Sequence, residues 1–427
     1  MPAIVWGLCI FAVTSPFFFT LTGADPTAAV MRNAQTMRTD EASQYLFYVV
    51  RGGVLLVALA MSVTALRATV RQSWLLLPAL PFVAWAGLSA TWSDQPATTM
   101  HGFATLIAAL VAGYLFVRGA RPETVIRSVV LGAFFTALAC YVFIFFLPRF
   151  GLHQYNDISQ GVHAGAWRGV YQHKNFLGQV AATFLAALFF VGRTTLSAWR
   201  RWTLIVLLVV LIGFSISASA VAIAPVTFVL VWTTMMAGNR TRTRALLFTL
   251  PVLAGGYFAM NAILTALGRD ASFSGRDVVW SQAFDAIRDQ VFTGYGFVSL
   301  SYGDFAYKLV RTTGLVDPHS AYLDLLLGTG IVGLLLFLIP IAAAWRACGR
   351  AVQAGGAQRD AALTLYAMTV AWLVASVTEA NDRPLTAMGG LGLFSLAALL
   401  AVPAWQRAGS PGAPTPRRRY QPLQMRA

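Results

Sequence analysis

Charge is scarce in this chain. Of 427 residues only 11% are Asp, Glu, Lys or Arg, and just two are lysines, Lys174 and Lys308. A typical soluble domain carries about 25% charged residues, so this balance excludes an ordinary water-soluble enzyme. Cysteine is nearly missing too. Cys9, Cys140 and Cys348 lie in or beside apolar runs, which excludes a disulfide framework. No His-Glu-x-x-His, Cys-x-x-Cys, Asp-x-Asp, phosphate loop or G-x-S-x-G elbow occurs. Those absences leave no metal-binding signature, no nucleotide loop and no serine nucleophile, and the expectation is a site without metal or cofactor.

What is abundant is apolar sequence, 57% of the chain. Runs long enough to cross a bilayer recur near 3–23, 44–65, 74–91, 102–117, 123–147, 174–192, 202–217, 219–236, 245–264, 319–345, 361–379 and 386–404. The first has no basic n-region and no small-residue cleavage site, so it reads as a helix rather than a signal peptide. The expected fold is an all-α polytopic membrane protein with about twelve transmembrane helices and two long periplasmic loops, 148–173 and 265–318. Residues 1–404 form the membrane domain, and 405–427 a disordered, basic cytoplasmic tail.

The net charge of +15 does not point to nucleic acid. Arg67, Arg71, Arg118, Arg121, Arg193, Arg200, Arg201, Arg240, Arg242, Arg244, Arg346, Arg350 and Arg359 fall in alternate loops, and the tail adds more. This positive-inside distribution puts both termini in the cytoplasm and the two long loops outside. His153, His163, His173 and His319, and both lysines, lie in those loops or at their edges. Function usually collects on such loops.

Within the second loop, 275–290 reads as an amphipathic helix. Arg276, Trp280, Ala283, Phe284 and Ile287 share one face, Asp277, Ser281, Asp285 and Arg288 the other, and Ser274 is the N-cap. Free N–H groups of its first turn beside the Arg276 guanidinium suit a phosphate, while an interfacial arginine that merely snorkels fits the same spacing. Arginines, a lysine and a histidine at outer helix ends suit an anionic phosphate substrate and one proton transfer. No internal repeat is evident, and the spans are nearly free of charge, both against a transporter.

The stretches "SATWSDQPATT" at 89–99, "RGVYQHKNFLGQ" at 168–179, "SGRDVVW" at 274–280 and "HSAYLDLLLGTGIVGLLLFL" at 319–338 appear in this order. With them the chain resembles the O-antigen ligase/polymerase superfamily and, within it, is similar to the ExoQ-like exopolysaccharide polymerases. The resemblance implies a periplasmic-face glycosyltransferase of the bacterial inner membrane. Such an enzyme polymerises undecaprenyl-pyrophosphate-linked repeat units into exopolysaccharide or O-antigen by metal-independent, inverting displacement. A ligase that transfers the glycan to lipid A core or protein is the alternative, and a lipid-linked glycan transporter the second. Implied partners are the lipid-linked donor, a glycan or lipid acceptor, membrane lipids, and chain-length regulator and flippase proteins.

The same resemblance makes His319 the general base, with Arg168 and Arg276 on the pyrophosphate. Lys174 and Asn175 open a helix after the first long loop, where a cation opposes the helix dipole, a misfit that favours a substrate role. His173 fits either a site residue or a loop cap. Asp317 and Tyr322 are candidates to orient the imidazole, whereas Asp324 lies too far around the helix. Gly328, Gly330 and Gly333 read as helix-packing residues. Trp167, Tyr171 and Trp280 fit either sugar stacking or interface anchoring. One departure stands out. Many relatives carry a basic residue in a turn that is here "SISASAVA" at 215–222, without charge; Arg51, inside the second span, is the candidate replacement, while snorkelling to the outer interface explains it equally well.

Overall fold

The structure, a computed structural model, describes residues 2–14, 41–62, 70–155, 161–191, 196–236, 276–299, 312, 317–381, 383–384, 386 and 387–408. Among the described residues the fold is all-helical, with one isolated antiparallel bridge between Leu152 and Trp167. The helices are α1 (Pro2–Thr14), α2 (Glu41–Ser62), α3 (Leu80–Leu88, after a 3-10 turn at Ser73–Ala79), α4 (Pro96–Gly119) and α5 (Pro122–Phe146). Then follow α6 (Lys174–Leu188), α7 (Ala198–Ser215), α8 (Ala218–Met236), α9 (Arg276–Asp289), α10 (Ala321–Ala354), α11 (Gly356–Ala375) and α12 (Ala387–Ala401). A short helix, Pro403–Ala408, ends the described chain, and the rest of the basic tail lies outside the described residues.

Among the described residues six segments are long and apolar enough to cross a membrane: Ser73–Thr91, Pro96–Gly119, Pro122–Phe146, Ala198–Ser215, Ala321–Ala354 and Ala387–Trp405. The expected span at 245–264, and residues 15–23 of the one expected at 3–23, lie outside the described residues. Helix α6 replaces the expected span 174–192 with only 15 residues, about 22 Å of helix, less than the roughly 30 Å of a hydrocarbon core. In lipid each backbone polar group must find its partner within the protein, which is why apolar sequence becomes helix rather than loop.

Helix α12 sits at the centre, every residue of it buried. Gly113 of α4 lets that helix close on it, since a Cβ there would strike the Phe394 carbonyl. Such small-residue contacts are how membrane helices gain packing without a hydrophobic drive between them. The outward faces are apolar instead. Phe134, Leu138, Phe145 and Phe146 of α5, and Trp199, Trp202 and Val206 of α7, are exposed, as a lipid-facing surface requires.

Helix α10 is broken. Gly330 has φ 66° and ψ −176°, a conformation open essentially to glycine alone, and a Cβ there would strike the Phe292 carbonyl. The chain after α9 repairs the break. Tyr295 and Gly296 donate their N–H groups to the Leu327 and Gly328 carbonyls (2.9 and 2.8 Å), and Ile331 N–H donates to Val291 (2.8 Å). Trp85 Nε1 donates to the Thr329 carbonyl (2.8 Å). The 89–99 stretch supports the repair from behind: Phe297 N–H donates to Ser89 Oγ (2.9 Å) and Trp92 Nε1 to the Thr293 carbonyl (3.3 Å). Gly330 is therefore a structural break, not the packing residue expected.

The break changes where α10 begins. Straight, its 34 residues would run about 50 Å, against about 30 Å for the 20 residues of α11. Yet Ala321 N–H bonds to the Ser376 and Glu379 carbonyls just beyond the end of α11 (2.9 and 3.0 Å). The two limbs, 321–329 and 331–354, cannot be collinear. The first limb bends over so that its N-terminus meets the end of α11.

Candidate active site

His319 precedes the first limb of α10 and takes a left-handed backbone, φ 47°, uncommon for a residue with a side chain although histidine tolerates it better than most. Three contacts fix it. Its N–H donates to Asp317 Oδ1 (2.9 Å), its Nδ1 lies 3.0 Å from Glu379 Oε2, and the preceding Pro318 carbonyl accepts Trp280 Nε1 of α9 (2.9 Å). Glu379 is nearly buried, its side chain 7% exposed, and its other oxygen accepts Asn175 Nδ2 (2.7 Å). Asn175 Nδ2 can only donate, so Oε1 accepts, and with Glu379 as a carboxylate Oε2 accepts as well. Nδ1 of His319 must then carry the proton, leaving Nε2 as the basic nitrogen.

Arg383 frames the other side. Its Nη1 is 3.4 Å from Asp317 Oδ2 and its Nε donates to Asp324 Oδ2 (2.7 Å). Asp324 thus reaches the site, not as a partner of His319 but through Arg383. Neither Glu379 nor Arg383 was singled out by the sequence reading. The available signal was ionisable residues in "TEANDRP" at the edge of an apolar span.

The expected substrate-binding residues divide. Asn175 joins the centre through Glu379. Lys174, its neighbour, extends Nζ to the Ile216 carbonyl (2.9 Å), the left-handed C-cap of α7. Ile216 lies in the uncharged 215–222 turn, so Lys174 supplies a cation to that turn from α6. Arg168 donates from Nε to the Phe150 carbonyl (2.9 Å) and from Nη2 to that of Arg149 (3.3 Å), pinning the 148–151 turn. Tyr322 donates its hydroxyl to the Leu373 carbonyl (2.8 Å), which ties α10 to α11. Arg276 opens α9 as expected, but its side chain and that of Arg51 lie outside the described residues.

Of the aromatic candidates, Trp167 stacks on Phe214 (centroids 4.4 Å apart) and Tyr171 is fully buried. Both serve packing of the first loop. Helix α9 buries Val279 and packs Ala283, flanked by Ala286 and Ile287, against Leu327, while Phe284 is 48% exposed. The buried stripe is therefore rotated from the expected one. Among the described residues no group of three or more His, Cys, Asp or Glu side chains is arranged to hold a metal ion.

The architecture is that of a polytopic helical membrane protein with a histidine–carboxylate pair at a helix entrance. Residues 176–338 match the O-antigen ligase family. Over 350 residues the chain is also 22% identical to the exopolysaccharide production protein ExoQ of Rhizobium meliloti (strain 1021), covering 77% of this chain and 78% of that one. Both likenesses point to the O-antigen ligase/polymerase superfamily. The proteins it resembles are named for polysaccharide ligation and exopolysaccharide production.

Proposed function

We propose that this protein is a glycosyltransferase that joins undecaprenyl-pyrophosphate-linked repeat units at the periplasmic face of the bacterial inner membrane. In this reading it crosses the membrane about twelve times, with both termini cytoplasmic. The observation that carries the proposal is the His319–Glu379 contact of 3.0 Å at the mouth of α10. Nε2 removes the proton from an acceptor hydroxyl as its oxygen attacks the anomeric carbon of the donor. The bond from that carbon to pyrophosphate breaks, its electron pair leaves with the pyrophosphate, and the configuration inverts. Glu379 stabilises the imidazolium that forms, and Asn175 holds Glu379 in place. Lys174, Arg168 and Arg276 are the cations proposed for the pyrophosphate.

The test uses the purified chain in lipid nanodiscs, one lipid-linked repeat unit and EDTA, with products separated on a gel. A ladder is expected, and its loss in His319→Ala by roughly 10²–10⁴-fold in rate would match removal of a general base. A ladder of full intensity from that variant would sink the mechanism. The family description, O-antigen ligase, favours one second reading, in which the acceptor is lipid A core or protein. An intact donor that is consumed only when such an acceptor is added would select it.

A further inference from the structure

Three of the chain's five histidines lie together beside the site, and the proposed reaction uses none of them. His153, His163 and His173 pack edge to face, with ring centroids 5.2–5.8 Å apart. Two of them receive backbone hydrogen bonds from the start of α6. His173 is its N-cap and accepts Asn175 N–H at Nδ1 (3.2 Å), and the buried His153 accepts Lys174 N–H at Nε2 (3.1 Å). These are amides that a helix start leaves without intrahelical partners. An imidazole nitrogen can accept only while it is unprotonated.

We propose that His153 and His173 are positioning residues whose neutral rings latch the first turn of α6, so that acid releases Asn175 and with it Glu379 and His319. The consequence for chemistry rests on the His319–Glu379 reading; the latch itself does not. The charges facing His173 come from several elements. Lys174 on α6 and the imidazoles of the first loop oppose a proton there, and Glu379 beyond α11 favours one. Burial outweighs them all and pushes the His173 ring down to about 3. The latched turn therefore stays neutral when an opened one, with ordinary histidines near 6.5, would protonate. Below that value acid shifts the turn toward opening.

Hydrogen exchange of the full chain in nanodiscs reads the latch directly, without turnover. Between pH 7.5 and 5.0, after correction for intrinsic rates, protection at Lys174 and Asn175 is expected to fall about 30-fold through His173. The variant His153→Gln/His173→Asn keeps an acceptor oxygen near Nε2 and Nδ1 respectively but cannot titrate. It should keep the same protection at both pH values. Protection independent of pH in the natural chain, or an equal acid loss in the variant, would overturn the proposal. Should the double variant not fold, His173→Asn alone decides: it must remove that factor of about 30, and an unchanged loss refutes the role of His173. A missing glycan ladder would count against the polymerase reading and leave the exchange result standing.

Discussion

Glu379 and Asn175 make the sharpest claim about single side chains. If Glu379 serves to stabilise the imidazolium of His319, Glu379→Gln should lower kcat by roughly 10²-fold while KM for the donor changes little. Asn175→Ala should give a smaller loss in the same direction, because it leaves the carboxylate in place but loosens it. An effect confined to KM, measured by initial rates over a donor series, would reassign both residues to binding. Lys174 is expected to behave the other way. Lys174→Met should raise KM for the anionic donor, whereas Lys174→Arg retains the charge beside the Ile216 carbonyl. His319 was legible because it stands in a polar run at the mouth of an apolar helix. Glu379 was not, because it lies 60 positions away and only the bent limb of α10 brings it near.

Among the elements, α10 departs furthest from what periodicity suggests. A single residue at φ 66° does not disturb an apolar pattern, so "GTGIVG" reads as packing although Gly330 interrupts the helix. Gly330→Ala should cost about 1–3 kcal/mol from its backbone conformation alone, with the overlap on Phe292 added. A lower unfolding temperature in detergent, without loss of helix by circular dichroism, would report it. Helix α9 was placed correctly, Arg276–Asp289 within 275–290, but its buried stripe was misjudged. Phe284 is the instructive residue. Near a bilayer a large apolar side chain gains as much from lipid as from protein, so apolar no longer means buried. Ala283, small enough to approach Leu327, and the buried Val279 take the protein side.

For the whole molecule, composition and charge distribution made the helical, membrane-spanning character plain. The mutual placement of the helices came only from the structure. That assembly sets a pH dependence. Because His173 is held down to about 3 and titrates near 6.5 when unfolded, the unfolded chain binds more protons between those values. Stability contributed by the neutral ring is full above about 6.5 and falls with acid by up to about 1.4 kcal/mol per pH unit. Thermal unfolding in nanodiscs from pH 7.5 to 4.5 should show the decline, and His173→Asn should flatten it.

The break at Gly330 also bears on how the protein meets bilayers of different thickness. A continuous helix with the base at its tip would carry any tilt straight to the reacting atoms. Here the limb that bears His319 is fastened to α11 through Ala321 and Tyr322, while the limb that crosses the lipid begins beyond the break. Hydrophobic mismatch costs fractions of a kcal/mol per ångström and is commonly absorbed by tilting. If the bonds that bridge Gly330 let the two limbs pivot, tilt is taken up there, and turnover in nanodiscs of short- and long-chain lipids should vary less than twofold. The joint would then work as a mechanical isolator, uncoupling the chemistry from the lipid composition around it.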